Sequence, residues 1–211
     1  MNIFRMMAGI YAANCLLVYD DSSKDSFVVD PGGNFDDIVD NIGKLNLNPR
    51  FILLTHGHGD HIGAVNELKS KYNIPVICHE DEKKLLADSS INLSHQMPMK
   101  DIEIIPDDTF KDGDIIGNDF PIEVIHTPGH TAGSCCFLLE NYLITGDTIF
   151  RGSIGRTDLP TSNYDEIVES IKNKILVLDD GLRIFPGHGA ETTMAFERDN
   201  NPYFIEFAKY I

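Results

Sequence analysis

The residues best equipped for chemistry lie together in Thr55-His56-Gly57-His58-Gly59-Asp60-His61, a stretch that holds three histidines and an aspartate. Imidazole nitrogens and carboxylate oxygens are the ordinary ligands of zinc and of non-haem iron. With this composition an HxHxDH arrangement arises by chance in on the order of one chain in a thousand. Surface histidines on a glycine-rich turn are the plainer explanation, and three so close together argue against it. In an extended stretch His56 and His58 point the same way, because side chains alternate. Asp60 and His61 then fall where the chain turns into a helix starting near Ile62. That split gives two directions of ligation, His56 and His58 toward one ion and Asp60 and His61 toward another.

Three further segments share one form, a strand running into glycine beside a ligand-type residue. They are Thr127-Pro128-Gly129-His130, Thr145-Gly146-Asp147 and Pro186-Gly187-His188-Gly189. Glycine lets the backbone come close to an ion, though each segment alone is a weak signal. With the first cluster they supply five histidines and two aspartates, a set that suits two metal ions with Asp147 bridging them. His79, His95 and His126 stand alone at strand ends or in loops and are read as structural.

These residues must be positioned by the elements before them. Short apolar runs predict strands over Cys15–Tyr19, as the first of the chain, then Ser26–Val29, Phe51–Leu54 and Pro75–Cys78. Asn34 can cap a helix whose apolar face is Phe35, Ile38, Ile42 and Leu45. Ile62, Val65, Leu68 and Tyr72 mark a second helix, and Glu80–Ala87 a third. Asn92–Met99 reads as loop. Strands are then expected at Ile102–Ile105, Asp114–Ile116, Ile122–Ile125, Ser134–Leu139 and Tyr142–Thr145. Tyr164–Leu176 is helical, with Ile167, Ile171 and Ile175 in register. A last strand, Leu182–Phe185, precedes a helix from about Glu191. No repeat and no linker-like stretch divides the chain, so a single αβ domain over residues 1–211 is expected.

Composition narrows the function. The chain has 211 residues, 42% of them hydrophobic, and a formal net charge of −16. Without a basic run it is a poor nucleic-acid partner. No segment approaches the roughly 20 apolar residues of a membrane span. Cys15, Cys78, Cys135 and Cys136 form no CxxC spacing and sit in or beside apolar runs, which fits buried reduced thiols and a cytoplasmic compartment.

The ordered set His56-x-His58-x-Asp60-His61, His130, Asp147 and His188 resembles the ligand pattern of the metallo-β-lactamase-fold hydrolase superfamily. The resemblance runs from Asn14 and Asp30-Pro31-Gly32 to Pro202. Gly146-Asp147-Thr148-Ile149-Phe150-Arg151-Gly152-Ser153-Ile154-Gly155-Arg156-Thr157-Asp158 is similar to the glyoxalase II, or hydroxyacylglutathione hydrolase, branch. Pro186–Gly189, Glu191-Thr192-Thr193 and Asn200-Asn201-Pro202 point the same way. The resemblance implies an αββα sandwich, two mixed β-sheets flanked by helices, in the short form that lacks the branch's helical C-terminal extension.

Two divalent ions, zinc first with iron or manganese as alternatives, bring four positive charges. Asp60, Asp147 and a bridging hydroxide remove three, leaving a centre that favours a small anionic substrate. That hydroxide is the expected nucleophile, with Asp60 orienting it and taking its proton. A thiolate, whose conjugate acid has a pKa of about 8.5, leaves without a dedicated acid, so a thioester is the expected substrate. Arg151 and Arg156 are candidates to meet its carboxylate; local structural bonds explain them equally well. The rival is a persulfide dioxygenase with one iron on His56, His130 and Asp147, which leaves the other ligands idle. The sequence does not define an oligomeric state.

Overall fold

The computed structural model describes residues 1–117 and 121–210. The chain forms two compact units, one of residues 1–78 and 83–109, the other of residues 79–82 and 110–211. Each is built on its own six-stranded sheet.

The first sheet has the strands β1 (Asn2–Ala8), β2 (Ala13–Tyr19), β3 (Asp25–Val29), β4 (Asn48–Leu53), β5 (Val76–His79) and β6 (Asp108–Phe110), side by side in chain order. β1 to β3 pair antiparallel, and β3, β4 and β5 pair parallel, so the sheet is mixed. β2 is buried almost throughout, which is why its sequence is apolar without alternation. The first strand is therefore Asn2–Ala8, ahead of the one expected. It is a half-exposed edge strand whose alternating pattern carries Arg5, and Arg5 donates to Asn14 Oδ1 across the pair. α1 (Phe35–Lys44) follows β3 with Ile38 and Ile42 buried. Asn34 does not cap it by side chain: its backbone is left-handed, and its amide accepts from Gly9 N–H and donates to Asp37.

The second helix begins earlier than expected, as α2 (Gly59–Ile62), and resumes as α3 (Val65–Tyr72). A 3-10 turn (Glu80–Glu82) leads into α4 (Lys83–Leu86). Ile38, Ile42, Ile52, Ile62, Val65, Leu68 and Val76 belong to one buried cluster that holds these helices on the sheet. Ile102–Ile105 is not a strand. Ile104 is buried and Ile105 exposed, as alternation requires, but the backbone bonds run from Ile104 N to Leu86 O and from Ile102 N to Ser94 Oγ rather than to a ladder.

The second unit holds β7 (Ile115–Ile116), β8 (Ile122–His126), β9 (Cys135–Leu139), β10 (Tyr142–Gly146), the hairpin β11 (Ile149–Phe150) and β12 (Ser153–Ile154), β13 (Arg183–Pro186) and β14 (Thr192–Thr193). The sheet order is β14-β13-β10-β9-β8-β7, and β10 pairs parallel with β13. α5 (Tyr164–Ser170) passes into a π-helical turn, Ile171–Ile175. Its three core isoleucines recur every fourth residue, and a π turn of more than 3.6 residues keeps that spacing on one face. The helix expected from about Glu191 starts later. Thr192–Thr193 first pair with β13, then Thr193 accepts from Phe196 N–H and caps α6 (Met194–Asn200). α7 (Pro202–Phe207) closes the core with Phe204 and Phe207. The four cysteines are buried and outside any disulfide, and burial pushes the Cys136 thiol up to about 11.

Candidate metal centre

In the first unit, β4 delivers the chain through Leu54 and Thr55 to His56, Gly57 and His58, and α2 takes up Asp60 and His61 in one turn. All four ligand-type residues are buried, His61 completely. His58 stands just before α2 with an extended backbone. Asp60 Oδ2 and His61 Nε2 are 3.9 Å apart. The backbone turns tightly enough that a Cβ on Gly32 would lie 1.9 Å from the Asp60 carbonyl oxygen.

Asp30, at the end of β3, organises this turn. Its Oδ1 accepts from Thr55 N–H at 2.8 Å, and its Oδ2 accepts from Thr55 Oγ1 at 2.6 Å and from His61 Nδ1 at 3.0 Å. Thr55 Oγ1 donates its one hydrogen bond to Asp30, so it can only accept from His56 Nδ1, 3.0 Å away. Both imidazoles therefore carry their proton on Nδ1 and keep the Nε2 lone pair for an ion. The donor atoms of Asp30, His56 and His61 lie within 4.8 Å of one another, but the carboxylate of Asp30 is committed to Thr55 and His61 and serves as their support. Sequence reasoning did not assign Asp30 a role. Its signal was present: Asp30-Pro31-Gly32 repeats the pattern of a strand ending at an acidic residue beside glycine.

In the second unit, parallel pairing of β10 and β13 brings their ends together, Gly146 opposite Pro186. Asp147 and His188 follow those ends. β9 runs antiparallel to β10, so the β8–β9 turn that carries His130 lies at the same edge. Asp147 Oδ2 is 3.5 Å from His130 Nε2 and 3.7 Å from His188 Nε2. Those distances are long for hydrogen bonds. They match the roughly 3.3 Å edge of a tetrahedron whose corners lie 2.0–2.1 Å from zinc. His130 Nδ1 donates to the Arg156 carbonyl at 2.9 Å, which again leaves Nε2 for ligation. Each unit thus contains a histidine–aspartate cluster suited in chemistry, tautomer and spacing to metal.

The two arginines make local bonds. Arg156 pairs both its Nε and Nη2 with Asp158, at 2.7 and 2.8 Å. That bond holds the Asp158 carboxyl below its ordinary range. Arg151 sets its guanidinium 4.5 Å over the Phe196 ring and donates to the Glu191 carbonyl at 3.4 Å. His79, Asp81 and His126 also bring donor atoms within 4.8 Å. Their two rings stack within 13° of parallel, so the lone pairs run side by side rather than converge.

Among the described residues no helix is long and apolar enough to cross a membrane. The chain matches the Metallo-beta-lactamase superfamily over residues 8–188. Hydroxyacylglutathione hydrolase GloC of Haemophilus influenzae is 36% identical over 208 residues, which cover 96% of this chain and 98% of that protein. The BLEG-1 B3 metallo-beta-lactamase superposes with a TM-score of 0.91 at 34% identity, over 96% of this chain and 99% of that one. A protein named TTHA1623, crystallised in a di-iron-bound form, superposes with a TM-score of 0.85 at 30% identity, over 95% and 99%. With its mixed sheets, flanking helices and histidine–aspartate clusters, the chain belongs to the metallo-β-lactamase superfamily.

Proposed function

We propose that this protein is a metal-dependent thioester hydrolase of the hydroxyacylglutathione hydrolase type. In this reading His56, His58, Asp60, His61, His130, Asp147 and His188 hold two divalent ions, zinc first. The observation that carries it is the position of Asp147 Oδ2, one coordination edge from each of two histidines. A single oxygen so placed suits a ligand shared by two ions. The likeness to GloC supports the thioesterase, and the di-iron relative makes iron the alternative metal.

When bound, the ions supply an activated water and polarise the substrate carbonyl. The chain's own residues do the rest. Asp30 and Thr55 fix the tautomers of His61 and His56, so the ligand lone pairs need no reorganisation. In this reading Asp60, buried beside His61, orients the water and accepts its proton. A thiolate leaving group needs no further acid. The formal charge of −16 argues against nucleic acid as partner, and the residual positive charge of a two-ion centre favours a small anionic thioester. In this reading the enzyme works in the cytoplasm.

The test is metal content per chain on protein purified without added metal, paired with hydrolysis of S-D-lactoylglutathione. Close to two metals with rapid turnover supports the proposal. One iron, no hydrolysis, and oxygen uptake with glutathione persulfide would replace it with a dioxygenase.

A further inference from the structure

His79, Glu80, Asp81 and Glu82 belong to the second unit, although the residues on either side belong to the first. Two of their side chains make contacts within that unit. His79 lays its ring against that of His126, centroids 3.8 Å apart. Glu82, only 1% exposed, points Oε2 at the turn that follows His130. It accepts from Thr131 Oγ1 at 3.0 Å and from Gly133 N–H at 2.9 Å. Gly133 comes so near that a Cβ there would lie 2.5 Å from Glu82 Oε2 and 2.6 Å from Glu82 N. The turn is closed internally by Gly129 N–H to Thr131 O, Thr131 N–H to Ser134 Oγ and His126 Nε2 to Ala132 O. One arm of the turn is thus held through His126 and the other through Thr131 and Gly133, with His130 between them.

We propose that His79–Glu82 is a clasp for this turn, and that Glu82 is the positioning residue that keeps His130 Nε2 at its 3.5 Å spacing from Asp147. The inference rests on the reading of His130 as a metal ligand. Burying a carboxylate is costly, and the two charge-assisted bonds offset that cost only while the turn keeps this shape. Ligand side chains must be held within about 0.5 Å of their productive places, and an eight-residue glycine-containing turn does not do so unaided.

The test is titration of metal-free protein with cobalt(II), followed by its visible absorption, for wild type, Glu82→Leu and Glu82→Gln. Hydrogen exchange of the 131–134 amides in the metal-free state is measured alongside. Both bonds use one oxygen, so the carbonyl of glutamine can replace them. We expect Glu82→Gln to bind within about threefold of wild type. Glu82→Leu should weaken one cobalt equivalent about 10–100-fold, change its absorption band and speed exchange. If Glu82→Leu does not fold, Thr131→Val removes the hydroxyl donor and should weaken the same equivalent about three- to tenfold. Wild-type affinity in Glu82→Leu, or glutamine no better than leucine, overturns the clasp. Wild type that takes up no cobalt removes the ligand reading itself, and the exchange rates then still decide whether Glu82 holds the turn.

Discussion

His61 Nδ1 lies 3.0 Å from Asp30 Oδ2, and neither side chain meets solvent. This one bond decides which nitrogen of His61 can face an ion. It is also joined to His56, because the same oxygen takes the Thr55 hydroxyl that supports the second ring. One carboxylate at a strand end therefore sets two imidazoles.

Asp30→Asn should weaken metal binding about 10–100-fold, or about 1.4–2.7 kcal/mol. An amide offers one acceptor oxygen, and its NH₂ would face a donor wherever the second oxygen stood. The backbone at Asp30 has φ 47°, which asparagine tolerates, so the loss should not come from strain. Titration against a competing chelator measures it. An unchanged affinity would sink the account of Asp30 as the support of both rings.

Much of the fold and of the candidate site is legible in the sequence. Ligand-type residues at strand ends beside glycine could be read directly, because the chemistry of the side chain and the turn chemistry of glycine are both local. The helix faces of α1 and α5 followed from spacing. What could not be read were features fixed by tertiary pairing. Asn2–Ala8 is a strand because β2 lies beside it, and its own alternation is blurred by exposure on an edge. Ile102–Ile105 alternates like a strand but finds its partners in a helix end and a serine. The support given by Asp30 to His61 depends on which groups meet across the fold, and spacing does not encode that; Arg156 and Asp158 stand two residues apart, and there the sequence left the choice between a local pair and a substrate contact open.

Asp147→Ala should remove at least one metal per chain and lower hydrolysis by at least about two orders of magnitude. Its Oδ2 lies near both His130 and His188, so on the proposed reading the change removes the carboxylate that the two ions share. Elemental analysis and a thioesterase assay on the same sample check this. Retention of both metals with full activity would rule out a bridging role.

Three glycine-to-alanine changes should separate by sign. At Gly155 a Cβ would lie 1.8 Å from the Asp147 carbonyl oxygen, and at Gly32 1.9 Å from that of Asp60. Backbone cannot yield as a flexible side chain can, so each change should cost about 1–3 kcal/mol or more and displace Asp147 or Asp60. At Gly43, within α1, a Cβ meets nothing within 4 Å, and alanine there should stabilise by about 0.5–1 kcal/mol. Thermal melts of the three variants give the comparison. Wild-type melting by Gly32→Ala and Gly155→Ala would show that the turns are looser than these distances.

His79 makes stability depend on pH in a defined direction. Burial, and then the like charge of His126 stacked on it, hold its pKa below the ordinary value; Asp81, Glu80 and Asp112 pull the other way and do not prevail. The sign follows from linkage. Above about pH 6.5 the ring is neutral in both states and adds no pH dependence. Below that value the unfolded chain takes a proton that the folded chain refuses. Stability therefore falls as pH drops from 6.5 toward the folded-state pKa, and levels off beneath it. His79→Gln removes the titration, so its melting temperature should drop less between pH 8 and pH 5.5 than that of wild type, even if it starts lower from loss of the stacked ring. Metal-free protein should be used for both, so that the histidines of the metal clusters titrate equally in each and cancel in the difference. Equal drops in the two proteins would show that His79 accepts its proton in the fold as readily as in the open chain.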